Sequence, residues 1–386
     1  MSLAARRTHL ALTIAGCFGA GSLYGWSGYL PAVRADFGVN NASASMVFSL
    51  ALVSFTIGVL LGPALLARVP PHLRLPLIAG LGAVSLAIAA TSSGFALFAM
   101  AYGVSFGFTS GVLYNFAVSL ASASDRPTLW VPVSVATFGL GGALIGPVHV
   151  WLTDAGWALW SIAPGLACLS LVCGASLVLT SPKDTAAAPQ NKGLTVIRPN
   201  KTLAILWVIF AAGSCSGLIV LGFAAQFLSP TPQGVGLASL AVFLVASGNT
   251  LGRLSSAWTA ARFGPTYGVA GALTLSVFTL ACLVFATAPG VVVGLLCVVA
   301  FAYGQLAATT PLLVKAQVGA AQFSTAFGWV FTGWGVAGLA GPWTAGWLLD
   351  ATGTFQYSLT ICICLAALSL WLVFRLSPED RAAEEC

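Results

Sequence analysis

Long apolar runs alternate with short charged, proline-rich or glycine-rich breaks along most of the chain. Runs of about 18 or more apolar residues predict helices near 9–31, 44–67, 75–92, 95–122, 129–152 and 157–180. A second set of six follows near 203–228, 235–260, 267–287, 290–314, 324–349 and 355–376. Each is close to the roughly 20 residues a helix needs to cross hydrocarbon. The runs do not alternate apolar with polar at every second position, which excludes a membrane barrel. Residues 181–202 form the one long polar stretch and read as a linker. The expected fold class is an all-α integral membrane protein with twelve transmembrane helices in two six-helix pseudo-symmetric bundles. The expected domains are an N-terminal bundle over 1–180, a cytoplasmic linker over 181–202, and a C-terminal bundle over 203–386 with a short cytoplasmic tail.

Composition strengthens this reading. Charged residues make up 6% of the 386, against about 25% in soluble domains, while 58% are apolar and the mean hydropathy is +0.96. A water-soluble globule is excluded, because most of the surface must face lipid. The net charge of +6 arises from 15 Lys+Arg against 9 Asp+Glu. With both termini in the cytoplasm, every basic residue falls on that side except Arg34, outside, and Arg253, inside a span. The basic excess therefore sets topology and implies no nucleic-acid partner. Arg6-Arg7 before an apolar run reads as the anchor of the first helix rather than as a cleaved signal. Trp130, Trp151, Trp157, Trp207, Trp343, Trp347 and Trp371 lie near helix ends, as interfacial belts require. Nine cysteines show neither a C-x-x-C pair nor a metal-ligand spacing, so no metal or cofactor is expected.

The two halves resemble each other. Aligning Arg68 with Arg262 gives an offset of 194 and brings Gly58-Val59 onto Gly252-Arg253; Gly146-Pro147 meets Gly341-Pro342 at 195, and Ala101-Tyr102-Gly103 meets Ala302-Tyr303-Gly304 at 201. Parallel six-helix repeats of this kind occur in secondary transporters. The stripes Gly103-x-x-x-Gly107-x-x-x-Gly111, Gly58-x-x-x-Gly62 and Gly248-x-x-x-Gly252 are packing devices that let helices approach closely. They are not phosphate loops, because no strand precedes them and no Lys-Ser/Thr follows.

Over its whole length the chain resembles the major facilitator superfamily. That family carries G-x-x-x-D-R-x-G-R in the loop after its second helix and again after the eighth. This chain keeps Gly62 and Arg68, then Arg262 and Gly264, with Ala67 and Ala261 in place of the aspartates. Within the superfamily, Tyr24-Gly25-Trp26-Ser27, Phe138-Gly139-Leu140-Gly141, Gly248-Asn249-Thr250-Leu251-Gly252-Arg253 and Phe331-Thr332-Gly333-Trp334-Gly335 are similar to the oxalate/formate antiporters and their monocarboxylate-transporter relatives. The resemblance implies a carrier of small organic anions in the cell membrane, expected as a monomer and, in a bacterium, in the inner membrane.

Candidate chemistry centres on Arg253, nine residues before Arg262 and so about 13 Å from the helix end. A guanidinium there stays protonated and must face a cavity or a partner. No Asp or Glu falls inside the twelve predicted spans, so a substrate carboxylate held bidentately is the expected counter-ion. The alternative has Arg253 bonded to backbone carbonyls as a tie across the bundle. Asn249, one helical turn earlier, can orient the guanidinium or touch a carboxylate. The monocarboxylate carriers typically have an aspartate there. Tyr24, Tyr114, Asn115, Tyr303 and Trp334 sit on helices that line the cavity in the superfamily, a placement implied by the resemblance; each can equally be packing. The oxalate exchangers' second cation, a lysine in the eleventh helix, is missing from this chain, which favours a monoanion. His149 is a possible proton site or a hydrogen-bonded structural histidine. The function expected is secondary active transport of a monocarboxylate by alternating access, through anion exchange or proton-linked symport. Export of neutral or apolar drug-like compounds and a non-transporting membrane sensor are the alternatives. An intramembrane enzyme would need paired acid/base groups at depth, and the chain offers none.

Overall fold

The computed structural model describes residues 3–122, 124–125, 127–179, 201–228 and 232–376. The expected linker over 181–202 lies outside them, except for its last two residues, which open a helix. Cα packing divides the chain into two compact units, Met1–Gly193 and Leu194–Cys386.

The first unit begins with α1 (Leu3–Ala20), a 3-10 turn (Gly21–Gly25) and α2 (Trp26–Phe37). One apolar run thus becomes a broken crossing longer than the expected 9–31. It ends where Gly38 turns left-handed at φ 62°. Asn40 then caps α3 (Asn41–Leu66), its side-chain oxygen accepting from the Ser43 N–H at 2.9 Å, and Pro71 at the first position starts α4 (Pro71–Ala90). The fourth crossing runs from α5 (Phe95–Phe98) through eight π-helical residues (Ala99–Phe106) into α6 (Gly107–Ser122). α7 (Pro127–Asp154), a 3-10 turn (Ala158–Ile162) and α8 (Ala163–Leu179) complete the unit. At one of its ends Arg7 of α1 pairs with Asp125 at 3.3 Å.

The second unit contains α9 (Lys201–Phe223), α10 (Pro232–Phe263), α11 (Pro265–Phe285), α12 (Pro289–Thr352) and α13 (Gln356–Val373). Helical geometry is recorded on both sides of the predicted break between 314 and 324, within one element of 64 residues. α12 is nevertheless not a rod. The Trp334 indole donates to the Tyr303 hydroxyl at 2.7 Å across 31 residues, a separation that would be about 46 Å in a straight helix. The chain reverses between these two residues, so α12 supplies two antiparallel arms and hence the tenth and eleventh crossings. Ten helices among the described residues are long and apolar enough to cross a membrane. Bulky apolar side chains such as Val178 and Phe285, each 83% exposed, face outward. The chain is a multi-pass helical membrane protein.

Lipid tails are as apolar as leucine, so burial alone cannot hold such helices together; close packing of small residues does. On α3 a Cβ at Gly58 would overlap the carbonyl oxygen of Phe108, and on α6 one at Gly111 would overlap that of Phe55. The second unit repeats this: Gly252 of α10 abuts the Phe301 carbonyl, and Gly304 of α12 abuts the Asn249 carbonyl. Matching these contacts sets the register of the repeat, 194 for α3 against α10 and 193 for α6 against the first arm of α12. The 201 match of Ala101-Tyr102-Gly103 with Ala302-Tyr303-Gly304 is therefore a coincidence of three letters; Gly304 corresponds to Gly111. Of the tryptophans expected in belts, Trp151, Trp157, Trp343, Trp347 and Trp371 are exposed. Trp207 instead donates its indole N–H to the Thr332 hydroxyl at 2.9 Å and belongs to the packing of α9 against α12.

Gly111→Ala or Gly304→Ala should destabilise its unit by about 1–3 kcal/mol through overpacking. Gly271→Ala, where a Cβ meets nothing within 4 Å, should be neutral or stabilising by up to about 1 kcal/mol. Thermal unfolding of the purified protein in one detergent checks the contrast.

Candidate functional site

Arg253 lies on α10, ten residues before its last residue Phe263, about 15 Å along the axis. That depth is too great for a long side chain to reach the interface easily. Its Nε–H donates to the Asn249 side-chain oxygen at 3.0 Å, the partner expected one turn earlier. Asn249 is 0% exposed and wedged against Gly304. With its oxygen accepting from Arg253, its amide Nδ2 must be the remaining donor, and that nitrogen has no hydrogen-bond partner. Asn249 therefore fixes one edge of the guanidinium while keeping an unspent donor beside it. The carboxylate described in this unit is Asp350, in the last turn of α12. Because the helices alternate in direction, it sits at the end opposite Phe263, far from Arg253.

Tyr303 and Trp334 form a second pair in the same unit, both almost fully buried and joined by the indole hydrogen bond. Gly217 of α9 makes room for them, since a Cβ there would overlap the Tyr303 ring. Trp334 also stacks on Phe331 at 5.4 Å, which leads to Phe327 at 5.7 Å and Phe210 at 6.2 Å. Tyr303 is next in sequence to Gly304, against which Asn249 of α10 rests. Sequence reasoning missed Gln305, buried two residues beyond Tyr303. Its Nε2 donates to the Thr259 hydroxyl at 3.0 Å, and its backbone nitrogen borders Gly252. The only trace in the sequence is a polar residue in an apolar run.

In the first unit, Tyr24 meets the Phe138 ring edge-on at 5.0 Å, and Tyr114 does so at 5.6 Å while touching Phe55 at 5.5 Å. These two tyrosines are thus brought together around one ring. Asn115 is not with them. Its Nδ2 donates to the Val59 carbonyl of α3 at 2.9 Å and its Oδ1 accepts from the Ser119 hydroxyl at 3.0 Å, so both ends of the amide are engaged within the unit. Val59 occupies the repeat position of Arg253, and Phe55 that of Asn249. His149 lies apart, on α7, 1% exposed, with Tyr29 at 5.9 Å. Its ring lies beside Gly25 of the 3-10 turn, whose backbone hydrogen-bonds the imidazole. Among the described residues no cluster of His, Cys, Asp or Glu could hold a metal.

No protein-family model matches the chain, and no curated protein matches it either. Among solved structures it is similar to the nucleoside transporter NupG, in a substituted form, with a TM-score of 0.73 at 16% identity over 95% of this chain and 98% of that one. It is likewise similar to a bacterial homologue of the human lysosomal transporter Spinster, solved inward-facing and unoccupied. That TM-score is 0.73 at 12% identity, over 99% of each chain. At these identities the likeness establishes the fold, which is the major facilitator fold.

Because the Asn115 amide ties α6 to α3, Asn115→Ala should strand the Val59 carbonyl and cost about 1–3 kcal/mol. It should lower the unfolding temperature without changing the KM of whatever solute is carried. A raised KM at unchanged stability would instead place Asn115 in the site.

Proposed function

We propose that the chain is a secondary carrier that moves a small monocarboxylate, such as lactate, pyruvate or formate, across the membrane by alternating access. The six-helix halves, residues 1–180 and 203–386, would rock to expose the site to each face in turn. The observation that carries the reading is Arg253, a permanent cation at depth, its edge fixed by a fully buried Asn249 that keeps a second donor. A planar guanidinium with an amide donor beside it suits the two oxygens of a carboxylate. With the second cation of the oxalate exchangers missing from the sequence, one fixed cation favours a monoanion over a dianion. Anion exchange and proton-linked symport both satisfy this electrostatics. The domain limits, the cytoplasmic placement of both termini and the roles of Tyr24, Tyr114, Tyr303 and Trp334 belong to the same proposal.

A second reading is supported by the aromatic face of stacked Trp334 and Phe331 with Phe327 tilted against it, which could hold a flat uncharged solute. NupG, one of the similar structures, is a nucleoside transporter, and a nucleoside is of that kind. Flux of labelled lactate, pyruvate, formate and a nucleoside into proteoliposomes separates the two. The carboxylate reading predicts uptake that falls by about 100-fold or more in Arg253→Ala, the cost of removing a charged hydrogen-bond partner. Uptake should stay about tenfold down in Arg253→Lys, which keeps the charge but loses the planar fork. Nucleoside flux insensitive to both substitutions, with no carboxylate flux, would establish the second reading instead.

A further inference from the structure

The carrier reading leaves the stretch of α10 just after Arg253 unaccounted for. There Ser255 Oγ donates to the Gly252 carbonyl at 2.9 Å, Ser256 Oγ to the Arg253 carbonyl at 2.7 Å, and Thr259 Oγ1 to the Ser256 carbonyl at 3.0 Å. Each hydroxyl shares a carbonyl with the helical N–H that would otherwise have it alone, and side chains bonded back to their own helix in this way loosen and bend it. The stretch from 254 to 259 is therefore the soft part of α10, and it begins where the guanidinium is mounted. A binding group must be held to within about 0.5 Å of its productive place, which a soft helix does not do alone.

Two adjacent residues of α12 tie α10 on both sides of Arg253. Asn249, four residues before it, rests against Gly304: a Cβ there would lie 2.9 Å from the Asn249 Oδ1, the same oxygen that accepts from Arg253 Nε at 3.0 Å. Gln305 holds the far side, its Nε2 donating at 3.0 Å to Thr259 Oγ1, six residues after Arg253. The amide can be turned only this way, because the Thr259 hydroxyl has given its proton to the Ser256 carbonyl and its oxygen is left to accept. A Cβ on Gly252 would lie 2.9 Å from the Gln305 backbone nitrogen. The main chains thus touch just before the soft stretch, and the Gln305 side chain, 8% exposed, spans it.

The first unit has the same scaffold without the cation. A Cβ at Gly62 would meet Val112 Cγ1 at 3.1 Å, so Val112 faces α3 as Gln305 faces α10. In the repeat register, Phe55, Val59, Leu61, Gly62, Leu65 and Val112 stand where the second unit has Asn249, Arg253, Ser255, Ser256, Thr259 and Gln305. Where the guanidinium is missing, every polar partner is missing with it. Packing joins those helices unaided, so the polar set serves the charge rather than the contact.

We propose that Gln305 is a positioning residue for Arg253: its hydrogen bond to Thr259 stiffens α10 just beyond the guanidinium and keeps that group in line with Asn249. This rests on the carrier reading and adds a residue to its anion site. Gln305 acts through the backbone of α10 and needs no contact with the carried solute. Cutting the bond leaves the near tie at Asn249 in place and frees the far one, so the helix bends at Arg253 and the anion meets a displaced fork.

Lactate counterflow in proteoliposomes gives KM and turnover separately. Gln305→Leu, which removes the amide at similar volume, and Thr259→Val should each raise KM by about fivefold or more while turnover stays within about twofold. Thr259→Ser, which keeps the hydroxyl, should hold the wild-type KM. The double variant Gln305→Leu/Thr259→Val should be no worse than either alone, because both cut one bond. Should Gln305→Leu not fold, Thr259→Val against Thr259→Ser makes the same comparison. In solute-free protein labelled with 15N at arginine, in lipid, exchange of the Arg253 Nε–H with water should quicken by about tenfold when the bond is cut, the signal being assigned with Arg253→Lys. An unchanged KM, whether or not the unfolding temperature falls, or an Nε–H that exchanges as in wild type, overturns the proposal. Wild-type protein that moves no carboxylate counts against the monocarboxylate reading alone, and the exchange measurement, which needs no solute, then decides the role of Gln305.

Discussion

A guanidinium that cannot lose its proton, set about three turns deep in an apolar helix, is the constraint on which the second unit depends. Desolvating that charge is costly wherever it faces lipid, so the bundle must offer it polar company. It does so through backbone proximity. Gly252 and Gly304 bring α10 and the first arm of α12 close enough for carbonyl oxygens to rest where side chains would otherwise stand. Within that contact Asn249 is fully buried and Arg253 is held by its Nε. A larger residue at either glycine would part the helices and release the amide that orients the charge. The glycine stripe and the candidate anion anchor are one device, because the packing provides the geometry that the electrostatics needs.

The same backbone scaffold carries different chemistry in the first unit. The contact of Gly58 and Gly111 reproduces that of Gly252 and Gly304, yet the positions of Arg253 and Asn249 are filled by Val59 and Phe55. There the space becomes an aromatic cluster with Tyr24, Tyr114 and Phe138, pinned by the Asn115 amide. The repeat shares how the helices meet, while the side chains at matching positions differ. One unit holds the fixed cation and the other holds the buried imidazole.

Much of this was legible in the sequence for a simple reason: a bilayer imposes apolar runs of crossing length, and those runs survive any rearrangement of contacts. Helix positions, the all-α membrane class and the pairing of Arg253 with Asn249 at helical spacing all follow from periodicity. What escaped depends on three-dimensional approach. The repeat register was misread over Ala101–Gly103 because three matching letters weigh as much in a sequence as a true backbone contact. Asn115 and Tyr114 are adjacent letters, but helical rotation by about 100° per residue brings one to the Val59 carbonyl and the other to the rings of Phe55 and Phe138. Tyr102 carries no local signal, since an orphaned hydroxyl is defined only by what fails to surround it.

The most direct test of the central claim measures whether the carried anion sits on Arg253. Protein labelled with 15N at arginine, in lipid, is loaded with 13C-carboxylate lactate, and the 13C–15N dipolar coupling is read by solid-state NMR, with Arg253→Lys as the reference. The account predicts a carboxylate carbon within about 5 Å of guanidinium nitrogens, as a bidentate pair requires, and loss of that coupling in the reference. Bound lactate with no coupling to any arginine, or coupling that persists unchanged in Arg253→Lys, would contradict it.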